Sequence, residues 1–281
     1  MSAVAKDISR KITLKTHDAH SHGALGYLEL GRADAPCVVF LHGFGADLLT
    51  WQLCLVPLAS AYRVIALDLP GHGRTAPDVG DASLKFMTDW LDEAFDVLGI
   101  GDAHIVGHSM GAKIALGFTL AHSERVASLA LVSPAGLGGE FHHDTLDAFL
   151  HDPEHAEGLA AQLLGPRGRA LIPSLAQSLR QAADPVRRES LSRLLGQAKT
   201  YGLAHFNDIM APEGFDWSKI RVPLTLMWGD HDRLIPMPQA RRLPPQAPVH
   251  LIEGAGHLPH MEASGAVVSH LKEFLPKDLI A

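Results

Sequence analysis

The stretch Ala103-His104-Ile105-Val106-Gly107-His108-Ser109-Met110-Gly111 decides how the rest of this chain is read. A short apolar run, of the kind that forms a buried strand, passes into a serine flanked by glycines, and a helical pattern over 110–121 begins at once. A nucleophile on so tight a strand-to-helix turn sits in strained backbone geometry. Side chains in place of Gly107 or Gly111 would collide with the neighbouring strand and helix. The turn lifts the Ser109 hydroxyl above the sheet edge, and the helix N-terminus sets free N–H groups beside it. The bare Gly-x-Ser-x-Gly pattern arises by chance in glycine-rich loops, so the strand before it and the helix after it carry its weight.

Outward from this turn, apolar runs recur at 37–41, 62–67, 126–132, 223–227 and 248–252. They are nearly continuous rather than alternating, as expected for strands buried on both faces of a parallel sheet. Helical patterns lie between most of them, notably 83–98, 110–121 and 262–275. This alternation predicts an α/β fold, a mostly parallel central sheet flanked by helices. Residues 11–16 and 24–30 read as two short strands forming an antiparallel hairpin at a sheet edge. From 136 to 215 no buried-strand run appears, and the pattern is helical, interrupted by Gly138-Gly139, Pro153, Gly165-Pro166 and Pro185. The division is therefore a core of residues 1–135 and 216–281 with a helical cap over 136–215, placed where ligands bind outside the carboxyl ends of parallel strands.

Composition removes several function classes. With 24 Lys and Arg against 31 Asp and Glu, the formal net charge is −7, and no block of basic residues occurs. Neither nucleic acid nor an anionic membrane surface is an expected partner. The two cysteines, Cys37 and Cys54, suggest small core residues rather than a disulfide framework. The first residues hold no apolar segment of signal-peptide length, and no window has about 18 uninterrupted apolar residues, so a soluble cytoplasmic protein is the expectation.

A serine hydroxyl is a weak nucleophile at neutral pH, so it needs a base, and acyl transfer needs donors aimed at the developing oxyanion. His42-Gly43-Phe44-Gly45 follows the third strand, which makes the N–H groups of Phe44 and Met110 the candidate oxyanion hole. Trp228-Gly229-Asp230-His231-Asp232 follows one apolar run, and Gly254-Ala255-Gly256-His257 follows the next. They supply candidate acids and a base in the order serine, acid, histidine. Of 18 histidines, His257 alone has both the right setting and the right order. No cofactor or metal is implied. His17, His20 and His22, His142-His143-Asp144, and His151 with His155 invite a metal reading, but the last pair spans Pro153 and none lies with these motifs. Arg187-Arg188 and Arg241-Arg242 read as solvated helix faces.

With these motifs in order from His42 to Glu262, the sequence resembles the α/β-hydrolase superfamily. Asp68-Leu69-Pro70-Gly71-His72-Gly73-Arg74 is similar to that family's structural loop after the fourth strand, which implies scaffold rather than chemistry. Residues 107–116, 133–138 and 254–263 look like the hydrolase-type domain of acetoin dehydrogenase acetyltransferase-like proteins. Such proteins often carry a lipoyl domain; the segment preceding residue 37 is too short for one, so lipoyl acetyltransfer is not the expectation. Ala112 and Lys113 depart from the double glycine often seen after the serine turn, a change in helix packing.

The resemblance implies a serine hydrolase acting through Ser109, His257 and Asp232, with a carboxylic ester of a small molecule as the expected substrate. Amides, thioesters and lactones remain open, as do an acyltransferase, a carbon–carbon bond hydrolase on the same triad, and a non-catalytic binding protein. In the family pattern the acid lies three residues after the glycine and four before a proline, which selects Asp232 over Asp230. Dehalogenases and epoxide hydrolases use a carboxylate nucleophile where this chain has Ser109. Ring-cleavage hydrolases usually carry Trp beside the base, where this chain has Leu258.

Overall fold

Strands that bury both faces need helices on both sides, and the chain supplies them. The computed structural model describes residues 13–137, 142–201, 210–211, 214–215, 217–236 and 247–276. Eight strands form one sheet: β1 (Lys15–His17), β2 (Leu25–Leu30), β3 (Cys37–Leu41), β4 (Arg63–Leu67), β5 (Ala103–His108), β6 (Val126–Val132), β9 (Leu224–Gly229) and β10 (Val249–Ile252). Their order is β1-β2-β4-β3-β5-β6-β9-β10. β1 pairs antiparallel with β2, as does β2 with β4; every other pairing is parallel. The α/β-hydrolase fold expected from the sequence is the fold observed.

Side chains alternate between two cores. Val39, Leu41, Ile65, Leu67 and Ile105 face one core, while Val38, Phe40, Val64, Ala66 and Val106 face the other. Both neighbours of each pair are apolar, which is why these strands read as continuous runs. The first core takes buried side chains from α2 (Leu84–Val97) and α3 (Met110–Ala121). The second takes them from α1 (Gln52–Leu58) and α9 (Ser264–Phe274). Ser83 caps α2, accepting from the Phe86 N–H at 3.0 Å. Cys54 is buried on α1 as expected, whereas Cys37, first residue of β3, is only half-buried because it sits at the strand's open end.

Among the described residues, four α-helices run between β6 and β9: α4 (Asp144–His151), α5 (Ala156–Leu163), α6 (Ile172–Ala182) and α7 (Pro185–Tyr201). A two-residue antiparallel pair, β7 (Met210–Ala211) with β8 (Gly214–Phe215), follows. Two residues per strand leave no apolar run for a sequence pattern to register. Arg187, expected on a solvated face, instead ties α7 to the loop after β4, donating to Asp184 at 2.9 Å and to the Gly73 carbonyl. Ser190 donates to the Pro77 carbonyl at 2.6 Å, and Gln197 to that of Asp81 at 3.0 Å. Arg241 and Arg242 lie outside the described residues, as do Gly138 and Gly139.

The sheet order fixes where chemistry can sit. From β3 the chain steps outward to β4, then returns across β3 to β5. Such a reversal opens a crevice at the strands' carboxyl ends. The loops after β3 and β5 adjoin it because Leu41 is in register with Gly107, and those after β9 and β10 adjoin each other because Ile252 is in register with Gly229.

Candidate active site

The turn after β5 is strained in the way its sequence requires. Ser109 has φ 52 and ψ −114, outside the regions open to a side-chain-bearing residue at ordinary cost. Neighbours hold it there: its N–H donates to the Val132 carbonyl at 3.0 Å, and its carbonyl accepts from Ala112 and Lys113 at 3.1 Å. A Cβ on Gly111 would lie 2.4 Å from the His42 carbonyl oxygen, and one on Gly107 2.6 Å from the Ala112 Cα, so both positions exclude a side chain.

Three side chains from three loops converge. His257 Nε2 lies 2.9 Å from Ser109 Oγ, and His257 Nδ1 lies 2.8 Å from Asp232 Oδ2. The acid and base side chains are buried, at 0% and 2% exposure, so no bulk water competes for either bond. Asp232 also accepts from the Trp228 indole at 3.1 Å and from the Leu234 and Ile235 N–H groups at 3.0 and 2.9 Å. Four donors on one carboxylate fix its orientation. Asp230 points elsewhere: its Oδ1 pairs with His231 at 2.7 Å and accepts from the Gly254 N–H at 2.8 Å. The arrangement can draw a proton from the serine hydroxyl onto the imidazole while the carboxylate balances the charge formed.

Phe44 and Met110 both line a cavity of about 860 Å³ together with Ser109 and His257. The Met110 N–H opens α3, where no intrahelical acceptor exists, and among the described residues the Phe44 N–H has no backbone acceptor. The loop carrying Phe44 is held by two histidines that motif reading left without a task. His42 Nε2 accepts from the Leu69 N–H at 2.9 Å, so its Nδ1–H donates to the Gly43 carbonyl at 2.8 Å. His72 repeats the pattern, accepting from the Gly45 N–H at 3.0 Å and donating to the Pro70 carbonyl at 2.9 Å. Each bond set requires a neutral ring. Burial lowers His42 to about 4, and burial with the neighbouring His42 lowers His72 to about 3. Asp68, from the same loop, accepts from the Leu48 and Arg74 N–H groups, both at 2.8 Å, and burial pushes it up to about 6.

Behind the triad, the His108 ring packs at a tilt against those of His257 and His260, with centroids 4.9 and 4.4 Å apart, and burial holds both His108 and His260 neutral, the latter down to about 3. Lys113, noted in the sequence only as a change in helix packing, lines the cavity, and burial brings its ammonium down to about 8. Its nearness in sequence to Ser109 was the available signal. The histidines weighed as metal ligands have other bonds: His20 meets the Trp90 carbonyl at 3.0 Å, and His22 meets Asp78 at 3.2 Å. His143, Asp144 and Asp147 do cluster, with possible ligand atoms within 4.8 Å of one another.

Comparison with known proteins agrees with this fold. A model of the alpha/beta hydrolase family matches residues 38–270. The dihydrolipoyllysine-residue acetyltransferase component of the acetoin cleaving system of Cupriavidus necator is 34% identical over 244 residues, 86% of this chain. This chain spans 64% of that protein's length. Carboxylesterase YbfK of Bacillus subtilis is 25% identical over 258 residues, covering 87% of this chain and 82% of the esterase. The solved structure of 2-hydroxy-6-oxo-6-phenylhexa-2,4-dienoate hydrolase from a Rhodococcus strain superposes with a TM-score of 0.80 at 22% identity. That match covers 94% of this chain and 98% of the other, and supports the fold. Among the described residues no helix is long and apolar enough to cross a membrane.

Two expectations follow. Asp232→Asn should lower the kcat of ester hydrolysis by about 10⁴ with the fold intact, since an amide at Oδ2 stabilises the wrong imidazole tautomer. Asp230→Asn should cost less than about tenfold, and steady-state kinetics giving the reverse ordering would move the acid to Asp230. The second concerns stability. His42, His72, His108 and His260 resist protonation when folded but take protons near 6.5 once unfolded. Their contribution is therefore complete above about pH 6.5 and drains away as pH falls toward the folded values of about 4 for His42 and about 3 for His72 and His260. Asp68, Asp47 and Glu262, raised rather than lowered by burial, oppose this. Urea unfolding should show stability falling steadily between about pH 7 and about pH 5; a flat result would mean that these rings are not held neutral.

Proposed function

This chain belongs to the alpha/beta hydrolase family, and we propose that it is a serine hydrolase cleaving a carboxylic ester of a small molecule through Ser109, His257 and Asp232. The unbroken line from Asp232 Oδ2 through both nitrogens of His257 to Ser109 Oγ, with steps of 2.8 and 2.9 Å, carries this reading. His257 takes the Ser109 proton as the oxygen attacks the ester carbonyl. The N–H groups of Phe44 and Met110 receive the oxyanion, and the tetrahedral intermediate collapses as His257 returns the proton to the departing alcohol. Water, deprotonated by the same imidazole, then attacks the acyl-enzyme and releases the acid.

The cavity supports an apolar acyl or alcohol group of moderate size. Its wall includes Phe44, Met110, Leu159, Leu163 and Leu258, and about 860 Å³ accommodates a small-molecule ester. Helices α4 to α7 contribute part of that wall, which supports a lid role for residues 136–215. A second reading, transfer of the acyl group to an acceptor other than water, draws support from the acetyltransferase component that resembles this chain. Both share the acyl-enzyme and differ only in what attacks it.

Ser109→Ala should fold normally and lose nearly all hydrolysis of chromogenic esters, keeping only the rate enhancement of about 10³ to 10⁴ over water that binding and the oxyanion hole supply. Initial rates on a purified variant decide the point: retention of most activity would remove Ser109 from the mechanism.

A further inference from the structure

Three consecutive N–H groups surround the base, and all are taken. Gly256 and Leu258, on either side of His257, donate to one oxygen of Glu262, at 2.8 and 3.3 Å. The N–H of His257 donates to the Leu163 carbonyl, at 2.6 Å. The other oxygen of Glu262 accepts from the Gly165 N–H at 2.7 Å. Glu262 ends the four-residue helix α8 (Pro259–Glu262) and is buried, whereas Leu163 and Gly165 belong to the end of α5 and the segment after it. One carboxylate therefore holds both flanks of the base and the insertion at once.

The surrounding contacts fit a joint of this kind. Arg233, next to Asp232, donates to the Leu164 carbonyl at 2.9 Å and to that of Ala161, taking up acceptors left at the end of α5. Arg167 N–H donates to the Gly254 carbonyl at 3.0 Å. The backbones approach so closely that a Cβ on Gly165 would lie 2.6 Å from the Gly254 oxygen and the Gly256 nitrogen. A Cβ on Gly256 would lie 2.4 Å from the Leu163 oxygen. Gly165-Pro166, in the sequence merely a helix interruption, is where the insertion presses against the loop that carries the base.

We infer that Glu262 is a positioning residue for His257, and that through Gly165 it makes the placement of the base depend on the seating of the helical insertion. This rests on the hydrolase reading above, since it gives His257 the role of base. A buried carboxylate with three N–H donors is oriented as firmly as the donors themselves. Its carboxylate also interacts electrostatically with His257. Burial raises Glu262 above the ordinary carboxyl value, while its three N–H donors and His257 pull it back. The other groups near the imidazole are Asp232 at 2.8 Å, Ser109 at 2.9 Å, the neutral ring of His108 tilted against it at 4.9 Å, and the neutral ring of His260. Glu262 is thus a second carboxylate able to favour the imidazolium that forms during turnover.

Glu262→Gln tests this in the full chain. An amide has one acceptor oxygen, so whichever way it turns, its NH₂ faces an N–H group and one arm of the joint opens. A misplacement of this order should lower kcat on a neutral chromogenic ester by roughly 10- to 100-fold, with KM held within about threefold. The acid limb of the kcat/KM profile should also move to lower pH, because losing a negative charge beside His257 disfavours its protonated form. A purely structural role would lower the melting temperature and leave both kcat and the acid limb unmoved, and that result overturns the inference. If the Gln variant does not fold, Gly165→Ala decides. It leaves the charge in place but forces the insertion off the base loop, so kcat should fall by about tenfold or more with the acid limb unmoved, and an undiminished kcat overturns the proposal. Wild-type protein is the control that separates the two failures: absence of any Ser109-dependent hydrolysis would sink the hydrolase reading itself.

Discussion

Everything in this structure answers to one constraint: the imidazole of His257 must sit between a buried carboxylate and a serine hydroxyl, within hydrogen-bond reach of both. The three residues are far apart in sequence. Parallel strands resolve the difficulty because they all end at the same sheet edge, so loops following β5, β9 and β10 emerge side by side. The register between β9 and β10 brings the acid loop against the base loop, and the register between β3 and β5 brings the Phe44 loop against the serine turn. The crossover from β4 back to β5 leaves the crevice between them.

Holding that geometry has costs elsewhere, and the chain meets them with short polar contacts rather than added bulk. Ser109 keeps a strained backbone because β6 binds its N–H and α3 its carbonyl. The loop bearing Phe44 is fixed by two imidazoles, each bridging an N–H and a carbonyl, which works only while the rings are neutral. Burial enforces neutrality, so the same desolvation that orders the loop makes it sensitive to acid. Asp232, buried in the interior, is satisfied by accepting four hydrogen bonds.

Much of this was legible in the sequence because it rests on local pattern. The doubly buried strands announce themselves as continuous apolar runs, since neighbours such as Val38 and Val39 face different cores. The serine turn is legible because a strand, a glycine-flanked residue and a helix follow within a few positions. Asp232 was separable from Asp230 by its spacing within the family pattern that the segment resembles, and the structure places the first against His257 and the second against His231. What escaped is long-range. Nothing near Glu262 announces that it meets Gly165 across 97 positions, and nothing near Arg187 announces the Gly73 carbonyl 114 positions away. His42 and His72 lay within recognised motifs, but their work is to join two loops, which no single motif displays.

The central claim is that Ser109 is the residue made nucleophilic by this arrangement. Activated serine is distinguished from the chain's other hydroxyls by its reaction with a fluorophosphonate, so mass spectrometry of the treated protein, followed by peptide mapping, addresses the claim directly. The account predicts a single covalent adduct on the peptide containing Ser109, formed far more slowly in His257→Ala. An adduct on a different serine, or equal labelling with and without the imidazole of His257, would contradict it.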